Sequence, residues 1–164
     1  SPFLLSIKIK LIIVSVGHKM PDWITAGFNE YAKRMPREMK IELLEIKPEP
    51  RTTGKTVAQI MEAEAQRILA VLPQSCLRIA LDEHGAQLTT RQLAGQMQDW
   101  MRAGSGAAFI IGGADGLHVS VKQAAQQLLA LSALTLPHGI VRVLLAEQLY
   151  RAHSLLHNHP YHRE

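Results

Sequence analysis

Hydrophobic and polar positions alternate along the chain with two different periods, and these periods divide it into strands and helices. Short apolar runs rich in β-branched residues predict buried strands at 9–16, 39–46, 77–81, 107–111 and about 130–136. Apolar residues at helical spacing predict helices at 22–35, 56–71, 89–101, 119–127 and 139–157. This alternation of strands and helices predicts an α/β fold with a mostly parallel sheet flanked by helices.

The boundaries of several helices carry recognisable signals. Asp22 is expected to be the N-cap of the first helix, and Thr89 or Thr90 caps the third, which ends at Gly104. The last helix has a wider apolar face than one short sheet needs, formed by Ile140, Val141, Leu144, Leu145, Leu149, Ala152, Leu155 and Leu156. Part of this face could pair with a second subunit, and packing within one domain is an equal alternative.

Length and composition indicate one ordinary globular domain over residues 1–164. Residues 1–8 are expected to be an extension beyond the usual start or vector-derived residues, without the features of a signal peptide. Apolar runs are far shorter than the roughly 20 residues that span a bilayer, so no membrane partner is expected. The single Cys76 cannot form an internal disulfide and suits a reducing, cytoplasmic location.

The net charge of +4 and the pI near 9.4 mildly favour a polyanionic partner. Basic residues crowd the first forty positions, at Lys8, Lys10, Lys19, Lys33, Arg34, Arg37 and Lys40. Aromatic residues make up only 5% of the chain, too few for a platform that stacks single-stranded bases. If RNA is the partner, contacts to shape and to phosphates should dominate.

Two unusual stretches follow predicted strands in the C-terminal half. IIGGADG, at 110–116, has glycines that would let a backbone approach a ligand, although a plain tight turn is an equal alternative. LSALTLPH, at 131–138, places the hydroxyls of Ser132 and Thr135 in an apolar strand that Pro137 ends. Both would lie at the carboxyl ends of parallel strands, where open α/β sheets bind ligands. Because the glycines follow the fourth strand rather than the first, a Rossmann-type cofactor site is disfavoured.

Other patterns give weaker signals. Residues 54–56 resemble the end of a P-loop but lack its first glycine, and no GxSxG elbow is present. His153 and His157 are spaced like metal ligands, yet no Glu or Cys completes a site. Solvated or RNA-facing histidines are therefore favoured, and no metal is expected. The tail NHPYHRE, at 158–164, is rich in groups that stack on bases, bind phosphates and move protons.

Several of these stretches occur together in one known family. They are GHKMPDW at 17–23, IIGGADG, LSALTLPH, RVL at 142–144, EQLYRA at 147–152 and NHPYHRE. From about residue 9 to the C-terminus the chain resembles the RlmH (YbeA-type) ribosomal RNA methyltransferases of the SPOUT superfamily. The resemblance implies a SPOUT-type sheet with a C-terminal trefoil knot. It also implies a homodimer that binds S-adenosylmethionine near the subunit interface and methylates N3 of a pseudouridine in 23S rRNA within the assembled ribosome.

The motifs of that family also indicate site residues. The cofactor is expected to contact Leu81, Gly112, Leu131, Ser132, Ala133, Leu134, Thr135 and Leu136. Catalytic candidates are His162 and Tyr161, which could remove the N3 proton or stabilise charge, and Arg151, which could orient the target. Lys19, Arg34 and Arg37 are expected to contact the rRNA backbone, although each could equally be a solvated charge.

Two other functions remain open from the sequence. One is a non-catalytic protein that binds ribosomes or assists their assembly. The other is an unrelated enzyme that acts on a small molecule and is built on a doubly wound sheet. Binding of S-adenosylmethionine, and its sensitivity to a substitution at Gly112, would distinguish both from a methyltransferase.

Overall fold

The computed structural model describes residues 8–17 and 19–163, so residues 1–7 of the expected extension lie outside it. The strands are β1 (Leu11–Val16), β2 (Ile41–Ile46), β3 (Cys76–Gln87), β4 (Gly106–Ile111) and β5 (Gln127–Ala130). The helices are α1 (Asp22–Ala32), α2 (Val57–Val71), α3 (Thr90–Ala103), α4 (Val119–Ala124) and α5 (His138–Leu156). Short 3-10 turns occur at Arg37–Met39 and Pro160–Arg163.

All five strands pair in parallel, in the spatial order β2-β1-β4-β3-β5. Parallel strands need crossover connections, and helices supply them here. The α/β class with a parallel sheet flanked by helices is confirmed. The trefoil knot stays a prediction from the resemblance.

Alternating side chains of β1 divide the core between the two faces of the sheet. Leu11 and Ile13 face one cluster of buried residues, whereas Ile12, Val14 and Val16 face the other. The first cluster is covered by α1, α3 and α5, which contribute Phe28, Leu93 and Leu145 among others. The second is covered by α2 and α4, which contribute Ile68 and Val121. Both faces of the sheet are therefore covered by helices and buried, as is usual for a parallel sheet.

Two helices begin at capping boxes that their sequences encode. The hydroxyl of Thr56 accepts from the main-chain N of Gln59 at 3.1 Å, and the Gln59 side chain accepts from the Thr56 N at 2.9 Å. Thr89 caps α3 in the same way. The predicted N-cap of α1 is wrong, because Pro21 holds that position and Asp22 is the first helical residue. Its carboxylate still lies where the helix dipole favours negative charge.

The predicted fifth strand is also wrong in position. β5 covers only Gln127–Ala130, and residues 131–136 form a loop at its end. The hydroxyl of Ser132 accepts from the main-chain N of Leu134 at 2.9 Å, a local turn that competes with strand pairing. LSALTL is thus a loop that leaves the sheet at its carboxyl end. The predicted α4 is correspondingly shorter and ends at Ala124.

β3 is longer than predicted because it continues through an irregularity. Its register against β5 shifts between Leu81 and Ala86, which both pair with Leu129. The four intervening residues, 82–85, leave the ladder before the strand resumes. Gly85 lies where they return, since a Cβ there would come within 2.6 Å of the main-chain carbon of Leu128. No helix among the described residues is long and apolar enough to cross a membrane.

Candidate functional site

A cavity of about 290 Å³ opens at the carboxyl ends of β3, β4 and β5. This is the end of a parallel sheet where ligands bind. The wall combines the end of β3, the turn after β4, the loop after β5 and the first turn of α5. Its members are Leu81, Asp82, Glu83, Ile111, Gly112, Gly113, Ala114, Gly116, Leu129, Ala130, Leu131, Ser132, Leu134, Thr135, Leu136, Pro137, His138 and Val141.

Seven of the eight residues expected to contact the cofactor line this cavity, and Ala133 does not. The seven are Leu81, Gly112, Leu131, Ser132, Leu134, Thr135 and Leu136. The loops after β4 and β5 meet there although β3 lies between those strands in the sheet. Leu134 is 74% exposed, so this apolar side chain stands at the cavity with little protein packed on it.

The turn after β4 needs glycine for its own geometry. A Cβ on Gly112 would come within 2.7 Å of the main-chain carbon of Gly116. Gly116 has φ +81°, a conformation that side chains rarely adopt, and its N donates to the carbonyl of Gly113 at 3.1 Å. The turn is also held from outside by an ion pair between Arg51 and Asp115. The glycines are therefore needed for the tight turn, and Gly112 also lines the cavity.

Three polar residues of the cavity wall were not predicted as site residues. Asp82 and Glu83 lie in the irregular part of β3, and His138 is the first residue of α5. The Asp82 carboxylate is 3.4 Å from the Nζ of Lys122. A signal for the first two is present in the sequence, because acidic residues directly follow a predicted buried strand.

Lys19 lies in a segment that packs beside this cavity. A Cβ on Gly17 would be 3.6 Å from the Nε2 of His138, and the Sδ of Met20 lies close to Gly139. Gly17 and Met20 therefore pack against the first turn of α5. Lys19 itself is exposed and has φ +55°.

The C-terminal tail folds back onto the end of α5. The ring of Tyr161 lies 4.7 Å from the ring of Tyr150, and the guanidinium of Arg151 lies 4.7 Å from the centre of the Tyr161 ring. Glu147 accepts from the Nε of Arg151 at 3.2 Å and from the Tyr161 hydroxyl at 3.5 Å. The tail is thus packed and hydrogen-bonded rather than frayed.

Burial is the main reason that the pKa of the Tyr161 hydroxyl is raised to about 12. The hydroxyl is therefore protonated at neutral pH and does not act as a phenolate base there. The hydrogen bond to Glu147 raises the pKa of Arg151, which stays a cation. His162 is half-buried, and its Nδ1 contacts the carbonyl oxygen of His159.

Arg34 joins the tail, whereas Arg37 does not share its contacts. The guanidinium of Arg34 lies 5.5 Å, 5.6 Å and 5.8 Å from the ring centres of Tyr31, Tyr150 and Tyr161, respectively. It also pairs with Glu30 at 2.5 Å. Arg37 is exposed in the short turn before β2. The charge of Arg34 is thus already engaged in part, by the ion pair with Glu30 and by the three tyrosine rings.

The predicted cofactor residues and the predicted catalytic residues lie at opposite ends of α5. His138 is in the cavity wall, and Arg151 lies thirteen positions further along the helix. At 1.5 Å per residue this separates them by about 20 Å. No residue of the tail that the structure describes lines the cavity. One copy of the chain therefore does not bring the two groups together.

His153 differs from the expectation that it would be solvated or RNA-facing. Its ring lies 4.3 Å from that of His157, and its Nδ1 is buried without a hydrogen-bond partner among the described residues. Burial, with a smaller contribution from His157, lowers the pKa of His153 to about 4. In the part of the chain that is described, no group of three or more His, Cys, Asp or Glu side chains is arranged to hold a metal ion.

Comparison with known proteins identifies relatives over nearly the whole chain. Residues 9–162 match the family model described as "Predicted SPOUT methyltransferase". A protein of Nitrosospira multiformis is 61% identical over 154 residues, which cover 94% of this chain and 99% of the relative. One of Cupriavidus pinatubonensis is 62% identical over 157 residues, with the same shares covered. Both relatives are named "Ribosomal RNA large subunit methyltransferase H".

Solved structures show the same fold. A probable methyltransferase from Bordetella pertussis superposes with a TM-score of 0.57 at 15% identity, covering 92% of this chain and 98% of that one. A putative methylase family protein from Neisseria gonorrhoeae gives a TM-score of 0.51 at 14% identity, covering 87% and 81%. At these identities the likeness concerns the arrangement of the elements.

Proposed function

Because this chain belongs to the SPOUT methyltransferase family, we propose that it transfers a methyl group from S-adenosylmethionine to the ribosomal RNA of the large subunit. The proposed target is N3 of a pseudouridine in 23S rRNA, within the assembled ribosome. The proposed location is the cytoplasm, where the ribosomes are. The buried, unpaired Cys76 suits that compartment.

One observation carries the proposal. The cavity at the carboxyl ends of β3, β4 and β5 collects seven of the eight residues that the family motifs indicate for the cofactor. These residues come from three separate segments of the chain. A chance surface depression would have no reason to be lined by all three.

The residues of the cavity suit a nucleoside whose attached chain has both apolar and charged parts. The volume of the cavity is near the lower end of the roughly 300–1,000 Å³ typical of ligand sites. Leu81, Leu131 and Leu136 provide apolar contacts, and main-chain groups of the 131–136 loop can hydrogen-bond a base edge. At Gly112 the backbone comes to the wall with no side chain in front of it. The site therefore recognises its ligand largely through backbone and shape.

Bound S-adenosylmethionine would supply an activated methyl group on a sulfonium. The protein's main contribution is then to hold N3 of the target in line with that group. His162 is the proposed acceptor of the N3 proton, since histidine is the side chain that most often serves as a general base. The neutral Tyr161 hydroxyl and the Arg151 cation would position the tail and the RNA. Glu147, which contacts both, keeps them in a fixed relation.

A homodimer would bring these residues to the cavity. Because the tail lies about 20 Å from the cavity within one chain, we place the tail of one subunit at the cavity of its partner. Apolar side chains left exposed on one copy are available for such an interface, at Trp23 (63%), Leu134 (74%) and Leu144 (39%). Leu144 belongs to the wide apolar face of α5.

RNA contacts would be shared between the two ends of α5. Lys19 is an exposed residue between Gly17 and Met20, which pack against the first turn of α5, and Arg37 is an exposed cation near the start of β2. Arg34, which is packed on tyrosine rings, would act partly through the tail. Replacing Lys19 and Arg37 by Gln should reduce the slope of log affinity against log salt by about one per residue. An unchanged slope would remove both from the RNA surface.

The experiment that tests the function is a methylation assay with whole ribosomes, separated subunits and naked rRNA. It uses S-adenosylmethionine with a labelled methyl group and mapping of the modified nucleotide. Wild-type protein should label N3 of a single pseudouridine, and whole ribosomes should be the best substrate. His162→Ala should lower the single-turnover rate at least 100-fold, since general-base catalysis contributes about 10²–10⁴.

Two results would contradict the proposal. Binding to ribosomes without any methyl transfer would favour a non-catalytic ribosome-binding or assembly factor. Labelling of a different base would reject the proposed target. Labelling of N3 by His162→Ala at nearly the wild-type rate would reject His162 as the proton acceptor. Mixing His162→Ala subunits with subunits carrying Gly112→Val tests the shared site. If each active site uses both subunits, the mixture should regain part of the activity that either variant lacks alone.

A further inference from the structure

The charges in the cavity wall have one sign. Its formally charged side chains are Asp82 and Glu83, and no lysine or arginine occurs among the described residues that line it. His138 is the remaining titratable residue of the wall. Cations near the cavity, such as Lys122, therefore belong to residues outside its wall.

The two carboxylates differ in how their charge is compensated. Asp82 is only 12% exposed and pairs with Lys122, whose Nζ lies 3.4 Å from its carboxylate. Glu83 is 59% exposed, and its partner is His84, with the Nε2 3.3 Å from a carboxylate oxygen. Among the described residues, no lysine or arginine forms an ion pair with Glu83. The mouth of the cavity thus carries one negative charge, on Glu83, that no lysine or arginine of the described residues compensates.

The fold determines the position of that charge. Glu83 lies among the four residues that leave the β3 ladder between Leu81 and Ala86. The strand re-enters its pairing at Gly85, where backbone contact with Leu128 leaves no space for a side chain. The end of β3 is paired on both sides of this irregularity. Glu83 is consequently held at the cavity by the sheet and does not belong to a free loop.

The chemistry gives this charge a consequence, which rests on the proposed function. In the transfer, the S–CH3 bond breaks, the N3–CH3 bond forms and the N3 proton goes to a base. The sulfur keeps the electron pair, so the sulfonium donor becomes a neutral thioether product. From this carboxylate at the cavity mouth, we infer that Glu83 makes the cavity favour the cationic donor over its neutral product.

The size of the effect is limited by solvent. Two unit charges about 6 Å apart in a water-like dielectric change an affinity by about threefold. Salt reduces such an effect, because the screening length falls to about 10 Å at 0.1 M and lower above it. Donor and product differ by one methyl group and one charge, so the change of their affinity ratio on substitution of Glu83 isolates the electrostatic contribution of that residue.

The test is isothermal titration of the full chain with S-adenosylmethionine and with S-adenosylhomocysteine at pH 8. Each ligand is measured at 25 mM and 300 mM salt, for wild type, Glu83→Gln and the control Glu62→Gln. Glu62 is exposed on α2 and is not in the cavity wall. Glu83→Gln should weaken donor binding about threefold at 25 mM salt, by much less at 300 mM, and leave product binding unchanged. Glu62→Gln should change neither ligand.

The outcomes separate this inference from the proposed function. If wild type binds neither ligand, the methyl donor itself is rejected. If wild type binds both and Glu83→Gln weakens both equally, Glu83 is an ordinary contact and the inference is wrong. An unchanged donor-to-product ratio in Glu83→Gln likewise rejects it. Because the substituted side chain is mostly exposed, equal melting temperatures for the variant and wild type serve as the check on folding.

Discussion

Arg142 on α5 donates from its Nη2 to the main-chain carbonyl of Gly17 at 3.0 Å, although only 2% of Arg142 is exposed. Its Nε donates to the buried hydroxyl of Ser15 at 3.2 Å and its Nη1 to Glu45 at 2.8 Å. One guanidinium therefore joins α5 to the carboxyl ends of β1 and β2. It lies one turn beyond His138, beside the segment that carries Lys19.

Replacing Arg142 by Met should strongly destabilise the fold. The change leaves the Ser15 hydroxyl and the Gly17 carbonyl buried without their donor. Breaking a buried charged network costs about 3–5 kcal/mol, and we expect about 3 kcal/mol because Glu45 is 40% exposed and can be hydrated. Urea denaturation measures the free energy of unfolding. Glu45→Gln is the control and should change it by less than about 1 kcal/mol. A similar loss of unfolding free energy in both variants would show that Arg142 stabilises the fold through its ion pair with Glu45, and not through the two buried acceptors.

The sequence predicted those features of the fold that depend on local chemistry. A helix was expected from residue 56, and Thr89 or Thr90 was expected to cap the next one; the structure has Thr56 and Thr89 as the N-caps of α2 and α3. The sequence did not predict the end of β5, for a physical reason. Leu134 and Leu136 line a cavity and do not pack in the core, whereas Leu131 does both, and apolar residues for either purpose look the same in a sequence.

The site was predictable in its parts but not in its arrangement. The cofactor residues were indicated by family motifs, and seven of eight line one cavity. Glu83 was not predicted as a site residue, because its position at the cavity depends on a register shift between β3 and β5. The packing of Arg34 on Tyr161 could not be foreseen either, since it joins α1 to the C-terminal turn over a sequence separation that no local pattern encodes.

Replacing Gly112 by Ala should impair ligand binding through the shape of the turn. The added Cβ would come within 2.7 Å of the main-chain carbon of Gly116, so the turn must shift. We expect at least tenfold weaker binding of S-adenosylmethionine, measured by titration, and a loss of about 1–3 kcal/mol in stability. Gly95→Ala on α3 is a matched control, because a Cβ there meets nothing within 4 Å. It should bind normally and gain roughly 1 kcal/mol from higher helix propensity. Normal binding by Gly112→Ala would exclude the turn from the site.

Replacing Tyr161 by Phe should leave the pH profile of methylation unchanged. With a pKa of about 12 this hydroxyl does not ionise in the working range, so it cannot contribute an alkaline limb. We expect a rate within tenfold of wild type, because Phe keeps the ring between Arg34 and Arg151. Tyr161→Ala removes that ring and should lower the rate much further. The profile of single-turnover rates from pH 6 to 10 tests this. Loss of a titration step in Tyr161→Phe would instead identify Tyr161 as the proton acceptor.

His153 should make the protein less stable in mild acid. Burial lowers the pKa of this imidazole to about 4, whereas a histidine in an unfolded chain titrates near 6.5. Between these values the unfolded state binds more protons, so the free energy of unfolding falls as the pH falls from about 6.5 to about 4 and is fully retained above that window. Since the ring is only partly buried, we expect a loss of roughly 1–2 kcal/mol across this pH window.

Urea denaturation at several pH values gives the slope of unfolding free energy against pH, which His153→Phe should flatten. His84→Gln, at a side chain 81% exposed, should leave the slope unchanged. Equal slopes for His153→Phe and wild type would assign the acid sensitivity to other groups.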